Sequence, residues 1–573
     1  MKRFFSIAVP ALIFLLFTVF LNSYRWIASG LAVTAVIPSP LLFVSVFVAA
    51  MVADSRRRNG GSRVRHLVPG MSLILAITLI YSVAEGAMQF LYARPLIPAS
   101  DVSYVRGGLL LLFPRATATV TALTPVVIGV ILAIAYGVAR AFMAFLQGLL
   151  MRLELTPLRV KQASLIGLAV SFLAVFAVQT VVSADRDSET WTQSLFPVMA
   201  RGFTSVDRFE LAHPLDHDGS LHPERTESGP TADAAPVYGL PGIRDVDIYV
   251  FAIESYGITI FDNEDQREAI LPLLLESHER LSADGFHVAS HFLESPVFSG
   301  LSWLAEATFL TGNVIDRQSR FERLIEEGAF ALPDFLAAEA DYFAMKAKPG
   351  AVHGEWPEGY DVFGFNEMLI AYRDDFAYRG PWFSFVPVPD QFAIHALHRR
   401  IQERISDGTL DGRPLFAYYQ LVSSHIPFNH IPEYLYDWDA LGDGSVFFET
   451  ENLQFDNDFF SGTEYVEGFI ASVEYVLTVL TEYLIRFLPE DRDSLIIWFG
   501  DHQPGSVVSG RGASRSVPIH VISRDASIVS RFVDELGYVH GIVPDQPHPH
   551  PHMARFFPDF VQLSSQGSPD SLR

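Results

Sequence analysis

Apolar residues cluster in the first third of the chain. Five long apolar stretches, at 4–21, 30–52, 71–90, 118–138 and 163–182, precede residue 185. Each is near or above the roughly 20 residues that carry a helix across ~30 Å of hydrocarbon. Glu85 is the only acid inside them, and it sits toward the end of its stretch. The stretch at 4–21 follows Lys2 and Arg3 as a signal peptide would. No small-residue cleavage site comes directly after it, so it reads as a retained helix. The pattern predicts a five-helix transmembrane domain over 1–184.

Beyond it the pattern changes twice. Residues 185–245 are rich in Asp, Pro, Ser, His and Gly and read as a juxtamembrane linker. From 246 onward, short apolar β-rich runs at 246–253, 414–421, 494–499 and 517–522 alternate with helical patterns at 264–283, 303–311, 331–339, 391–405, 464–487 and 526–537. Buried strands alternating with helices predict a mostly parallel sheet covered on both faces. The expected domain spans 246–560, with a mobile tail over 561–573. The run Pro547-His548-Pro549-His550-Pro551-His552 reads as a stiff segment that holds its imidazoles apart.

Charge sharpens the division. Residues 1–184 hold 15 Lys/Arg against four acids, a net +11, whereas the whole chain carries −24, which leaves −35 for the remainder. Such an acidic remainder repels phosphate backbones and argues against nucleic acid as a partner. Lys2 and Arg3, the arginines at 56, 57, 58, 63 and 65, and Arg140, Arg152, Arg159 and Lys161 all fall on one side of the predicted helices. The opposite loops carry only Arg25, Arg94, Arg106 and Arg115. The crowded side is cytoplasmic by the positive-inside rule, so everything after 185 is expected outside the cytoplasm. That describes a multi-pass protein of the cytoplasmic (inner) membrane with an extracytoplasmic, periplasmic domain. The chain has no cysteine, which excludes disulfides, thiolate metal sites and cysteine nucleophiles.

In open α/β sheets, reactive groups gather at the carboxyl ends of strands. Here the run at 246–253 ends in Glu254-Ser255, that at 414–421 leads into Ser424-His425, and that at 494–499 into Gly500-Asp501-His502. Carboxylate oxygens plus imidazole suit Zn2+ or Mn2+. Ser299-Gly300-Leu301-Ser302 opens the helical pattern at 303–311. A hydroxyl there gains from the positive end of the helix dipole, as does a bound phosphate. Each of these groups also has a plain structural reading, as cap, salt bridge or packed histidine. Their shared position at strand ends favours a site, with Ser302 as nucleophile.

Taken together these segments resemble lipoteichoic acid synthase and its phosphoglycerol- and phosphoethanolamine-transferring relatives, in the alkaline phosphatase/sulfatase superfamily. Val250-Phe251-Ala252-Ile253-Glu254-Ser255 is similar to the family's first strand, Gly300-Leu301-Ser302 to its nucleophile segment, Ser424-His425-Ile426-Pro427-Phe428 to its phosphate-contacting segment and Gly500-Asp501-His502 to its paired ligands. The resemblance implies a five-helix transmembrane bundle plus an extracytoplasmic α/β sulfatase-like (alkaline phosphatase-type) domain. It implies one divalent metal ion, Mn2+ or Zn2+ with Mg2+ as a further candidate, held by Glu254, Ser302, Asp501 and His502. His425, Trp356 and His353 are expected at the substrate. The family places an arginine shortly after the tryptophan, where this chain has Pro357-Glu358, with Lys348 and His353 as nearby cations.

The implied activity is transfer of a phospho-headgroup, phosphoglycerol or phosphoethanolamine, in cell-envelope biogenesis. The donor is a membrane phospholipid, the intermediate is covalent at Ser302, and the acceptor is a hydroxyl of an envelope glycan or glycerophosphate polymer. Two alternatives stay open: a membrane-tethered phosphodiesterase or sulfatase-like hydrolase, and a catalytically inert sensor or assembly factor.

Overall fold

The computed structural model describes residues 246–565, apart from 329, 352–362, 384–385, 411, 456–462, 491 and 511, together with 45–46, 48–49, 67–92, 96 and 117–152. The chain divides into two compact units, Met1–Asp207 and Arg208–Arg573.

In the first unit, α1 (Leu67–Tyr92) and α2 (Thr117–Arg152) are long and apolar. They pack through Val68, Met71, Leu75 and Ala76 against Ala135, Ala139, Phe142, Met143 and Leu146. The alanines let the two backbones approach closely, as in membrane helix pairs. Leu73, Ile74, Ile77 and Val83 of α1 and Val126, Val130, Ile131 and Ile134 of α2 are exposed. A helix apolar on its packed and unpacked sides alike suits lipid rather than water. Glu85 is buried, and its carboxylate accepts the Leu96 N–H at 2.9 Å, so the lone acid has a local structural partner.

Among the described residues three helices, not five, are long and apolar enough to cross a membrane: Leu67–Met88, Thr124–Leu149 and Glu464–Phe487. The first two cover the expected stretches at 71–90 and 118–138. The stretches at 4–21 and 163–182 lie outside the described residues, as does that at 30–52 except for four helical positions. The third helix belongs to the other unit, where packing against protein explains its apolar content.

The second unit is a three-layer α/β domain. Its elements are β1 (Asp247–Ile253), α3 (Glu264–Ala283), β2 (His287–Glu294), α4 (Ser302–Thr311), α5 (Gln318–Glu327), α6 (Leu332–Ala340), β3 (Phe343–Lys348), β4 (Glu367–Ile370), α7 (Asp390–Ser406), β5 (Leu415–Gln420), the short strands β6 (His430–Ile431) and β7 (Leu453–Gln454), α8 (Thr463–Phe487), β8 (Ser494–Gly500), β9 (Ser516–Ser523), α9 (Ala526–Leu536), β10 (Val539–His540) and α10 (Phe556–Ser565). The main sheet has the order β10-β2-β9-β8-β1-β5-β3-β4, while β6 and β7 form a separate pair.

Strands β8, β1, β5, β3 and β4 are parallel, and β9 pairs antiparallel with both β8 and β2. The sheet is therefore mixed. Residues 501–515 between β8 and β9 hold only a four-residue helix, Ser506–Ser509, too little to cross a face and return in parallel.

Side-chain alternation gives the sheet two buried faces. Tyr249, Phe251 and Ile253 of β1 and Trp498 of β8 join one core with Leu274 of α3, Leu397 of α7 and Phe469, Val473, Val476 and Tyr483 of α8. On the other face, Phe309 of α4 stacks between Phe499 and Phe556, with ring centroids 4.0 and 4.1 Å away. This is the face toward which the alternation carries Glu254.

The last helix reaches Ser565 with Val561 and Leu563 buried, so packed chain continues past residue 560. The His-Pro run also packs rather than standing free. His550 is buried and its Nδ1 pairs with Ser516 Oγ at 2.7 Å, while the rings of His548 and His550 lie 4.0 Å apart.

His520 of β9 is fully buried and joins β2 to the segment that follows β1. Ser290 donates its hydroxyl to Gly541 O at 2.7 Å, so it accepts from His520 Nδ1 at 2.8 Å, and His520 Nε2 accepts from Tyr256 OH at 3.0 Å. This network holds the ring neutral, and burial pushes its pKa from 6.5 down to about 3. Between those values the unfolded chain binds a proton that the folded one does not, so stability falls as pH falls. We expect this ring alone to cost about 1.4 kcal/mol of unfolding free energy per pH unit below 6.5. Denaturant melts at pH 7, 6 and 5 should show a shallower pH dependence for His520→Gln than for wild type. Equal slopes would contradict the assignment.

Candidate active site

The site is built where β1 and β8 end side by side. Their parallel register pairs Ile253 with Gly500, so the next residues, Glu254 and Asp501, leave the sheet together. Asp501 N–H extends the ladder by donating to Ile253 O at 3.1 Å. Gly500 is required there, because a Cβ would lie 1.8 Å from Tyr256 O. Glu254, Asp501 and His502 are 3%, 4% and 1% exposed. One ligand-type atom from each lies within 4.8 Å of the others.

Each group is oriented by a second partner. Asp501 Oδ1 accepts N–H bonds from Ser255 at 2.9 Å and His502 at 2.6 Å, and its Oδ2 lies 3.6 Å from His502 Nε2. His502 Nδ1 donates to Gln503 O at 2.9 Å, which turns Nε2 toward the carboxylates, 3.1 Å from Glu254 Oε1. Such a bond fixes the tautomer of a metal-binding imidazole. Ser424 Oγ donates to the backbone oxygen of Glu254 at 2.5 Å, and Ser295 Oγ donates to that of Asp501 at 2.6 Å.

Ser302 is the first residue of α4. Its hydroxyl donates to Glu254 Oε2 at 2.8 Å and lies 3.3 Å from His502 Nε2. The chain enters this helix through three successive left-handed residues, Ser299 (φ 59°), Gly300 (φ 117°) and Leu301 (φ 66°). For non-glycine residues such backbone costs about 1–2 kcal/mol each and persists only where the surroundings impose it. Here Ser299 N–H donates to Gln503 O at 2.9 Å, tying the entry to the Asp-His loop, and Leu304 N–H donates to Leu301 O at 2.8 Å. The helix N-terminus is thereby presented at the ligand cluster.

Burial pushes the Glu254 carboxyl up, but the imidazoles of His502 and His425 and hydrogen bonds from His502 and Ser302 outweigh it and hold its pKa low. Burial and the Glu254 charge raise that of Asp501. Burial opposes protonation of His502, but the two carboxylates overcome it and raise its pKa. Two buried carboxylates facing one imidazole form a cluster that gains from a cation. The donors, two carboxylates, one oriented Nε2 and one hydroxyl, match the preferences of Zn2+ or Mn2+.

The structure thus gathers Glu254, Ser302, Asp501 and His502, all four of the residues expected to hold a metal. His425, partly exposed, follows the β5 tip, within electrostatic reach of Glu254, and its Nδ1 donates to Ile426 O at 2.6 Å. His353 and Trp356 lie outside the described residues. Sequence reasoning missed the supporting groups Ser255 N–H, Ser295 and Gln503 O. Their roles come from backbone atoms and long-range pairing, which leave no residue-type signal. Ser424 stood within a recognised segment but without a role.

No family model and no curated protein matches the chain. Among solved structures it is similar to the lipoteichoic acid synthase LtaP from Listeria monocytogenes, with 12% identity, 58% of this chain and 74% of that one covered, and a TM-score of 0.38. It is also similar to the phosphoglycerol transferase GacH from Streptococcus pyogenes in complex with sn-glycerol-1-phosphate, with 12% identity, coverage of 57% and 81%, and a TM-score of 0.35. A third is the C-terminal periplasmic domain of EcEptC from Escherichia coli in complex with Zn, with 11% identity, coverage of 56% and 96%, and a TM-score of 0.33. At these values the likenesses bear on neither substrate nor activity, which rest on this chain's own residues.

Replacing a ligand should cost more metal affinity than the roughly 10–100-fold typical of outer partners. We expect Glu254→Ala and Asp501→Ala each to lose stoichiometric Zn2+ or Mn2+ on dialysis, measured by elemental analysis, while Ser424→Ala retains it. Stoichiometric metal in a Glu254→Ala/Asp501→Ala double variant would rule out this centre.

Proposed function

We propose that the protein is a metal-dependent phosphotransferase of the alkaline phosphatase/sulfatase superfamily, similar to lipoteichoic acid synthase. It moves a phosphoglycerol or phosphoethanolamine headgroup from a membrane phospholipid to a hydroxyl of an envelope glycan or glycerophosphate polymer. The observation that carries this reading is the Ser302 hydroxyl at the start of α4, 2.8 Å from Glu254 and 3.3 Å from His502 Nε2 in a buried carboxylate-imidazole cluster. The apolar α1 and α2, the five predicted membrane spans and the basic bias of one set of loops support a multi-pass inner-membrane protein. On that reading the domain from 246 is extracytoplasmic.

Glu254, Asp501, His502 and Ser302 would hold one divalent ion, whose charge lowers the pKa of a serine hydroxyl and offsets that of a phosphate. Ser302 would lose its proton to water, with Glu254, whose pKa is held low, staying a charged ligand beside it. Its Oγ attacks the donor phosphorus, a new Oγ–P bond forms, and the bond from phosphorus to the diacylglycerol oxygen breaks. His425 gives the leaving oxygen a proton from Nε2, since its Nδ1 is engaged with Ile426 O. The positive end of the α4 dipole, at which Ser302 sits, favours the anionic phosphate. In the second half, the acceptor hydroxyl loses its proton to His425 and attacks the phosphoserine. The Oγ–P bond breaks and leaves Ser302 unprotonated, ready for the next donor. The same site serves water, in which case the product is free headgroup phosphate.

We expect Ser302→Ala to lower diacylglycerol release from labelled phosphatidylglycerol or phosphatidylethanolamine by on the order of 1,000-fold or more. Wild-type release by that variant would defeat the nucleophile assignment. His425→Asn should lose roughly 100- to 10,000-fold, the range of general acid–base groups. Mass spectrometry of the products distinguishes the readings: label on a glycan or polymer supports transfer, and free headgroup phosphate alone supports hydrolysis.

A further inference from the structure

One turn along α4 from Ser302, on the same side of the helix, lies Glu306. It is buried and points at β3, whose Lys346 and Lys348 face α4. Lys346 Nζ contacts Glu306 Oε1 directly, and Lys348 Nζ lies 3.7 Å from Glu306 Oε2. Lys346 has no solvent exposure and is ringed by Phe363, Phe365 and Tyr418, with its nitrogen 5.8, 5.1 and 5.2 Å from their ring centroids. Whichever partner holds the proton, the contact is a single directional hydrogen bond in an apolar setting.

Two further polar contacts tie α4 to the chain that follows it, Trp303 Nε1 donating to Gln318 Oε1 at 3.0 Å and Ile315 N–H to Thr308 Oγ1 at 3.0 Å, and much of its remaining packing is apolar. Leu304, Ala305, Ala307, Phe309 and Leu310 are fully buried, and Phe309 stacks between Phe499 and Phe556. Apolar contact is non-directional. A buried ion pair adds little stability over an apolar pair of similar volume, and its attested use is to specify geometry. Here it lies directly beneath the one side chain whose placement the chemistry depends on, at the end of a helix entered through three left-handed residues.

We infer that Glu306, clasped by Lys346, is a positioning residue that fixes the rotation and height of α4 and so aims the Ser302 hydroxyl at the reacting phosphorus. The role rests on Ser302 being the nucleophile, as in the function proposed above, but not on the identity of the lipid. Misplacement of a reacting atom by about 1 Å costs on the order of 100-fold in rate. An apolar substitute should therefore keep the fold and lose the aim.

The test compares full-length wild type with a Glu306→Leu/Lys346→Met double variant and with Glu306→Asp. Two rates are read: phospholipid turnover, and covalent labelling of Ser302 by a fluorophosphonate, in which Oγ displaces fluoride. We expect the double variant to keep wild-type metal content, donor KM and melting temperature, while kcat and labelling fall at least about tenfold. Glu306→Asp, which shortens the strut by one methylene, should fall about threefold or more with the fold unchanged. Rates within twofold of wild type in both variants would overturn the inference. So would a double variant that fails to fold alongside a Glu306→Asp variant of wild-type rate, because the pair would then be purely structural. Labelling of wild type without lipid turnover would count against the lipid reading and leave the positioning role to be judged by labelling alone.

Discussion

The domain's architecture depends on one costly juxtaposition: two carboxylates withdrawn from water beside each other at the ends of adjacent parallel strands. Isolated buried charges are expensive, and two of the same sign are worse. The fold meets that cost with directed partners rather than exposure. Two backbone N–H groups close on Asp501, a serine hydroxyl and an imidazole close on Glu254, and a carbonyl holds that imidazole in its orientation. The in-register pairing of β1 and β8 brings the two acids together. The left-handed entry to α4 then delivers the serine to the pair.

Much of this was legible from residue patterns. The expected helix at 264–283 is α3 without change, and those at 391–405 and 464–487 differ by a residue at one or both ends from α7 and α8. The tips at Glu254 and Asp501-His502 were legible because chemistry-bearing residues directly followed apolar runs, and Ser302 because it opened a helical pattern. The strands β3 and β4 were not. Lys346 and Lys348 break the apolar signal of β3, although all six of its residues are buried, because their partner Glu306 comes from 40 positions earlier in the chain. The antiparallel run of β9 was likewise hidden, since apolar composition does not encode strand direction. The packing of His550 against Ser516 joins segments that no local window spans.

Apolarity in this chain has two separate physical origins. In α1 and α2 large aliphatic side chains remain exposed on the helix surface. In α8 a comparable density of apolar residues is turned into the protein, with Phe469, Val473, Val476 and Leu480 at no exposure. Hydropathy alone treats the three helices alike. Where their side chains go separates a helix suited to lipid from one that fills a core.

At Gly500 the carbonyl of Tyr256 occupies the space a side chain would need. The spacing between the two acid-bearing strand ends is thus defined by a single missing carbon. Any evolutionary drift at that codon, even to alanine, would wedge the strands apart and widen the cradle between the acids. That position is therefore closed to gradual exploration. Diversification of such a protein is channelled outward, to the surrounding loops, while the spacing at its centre stays constant.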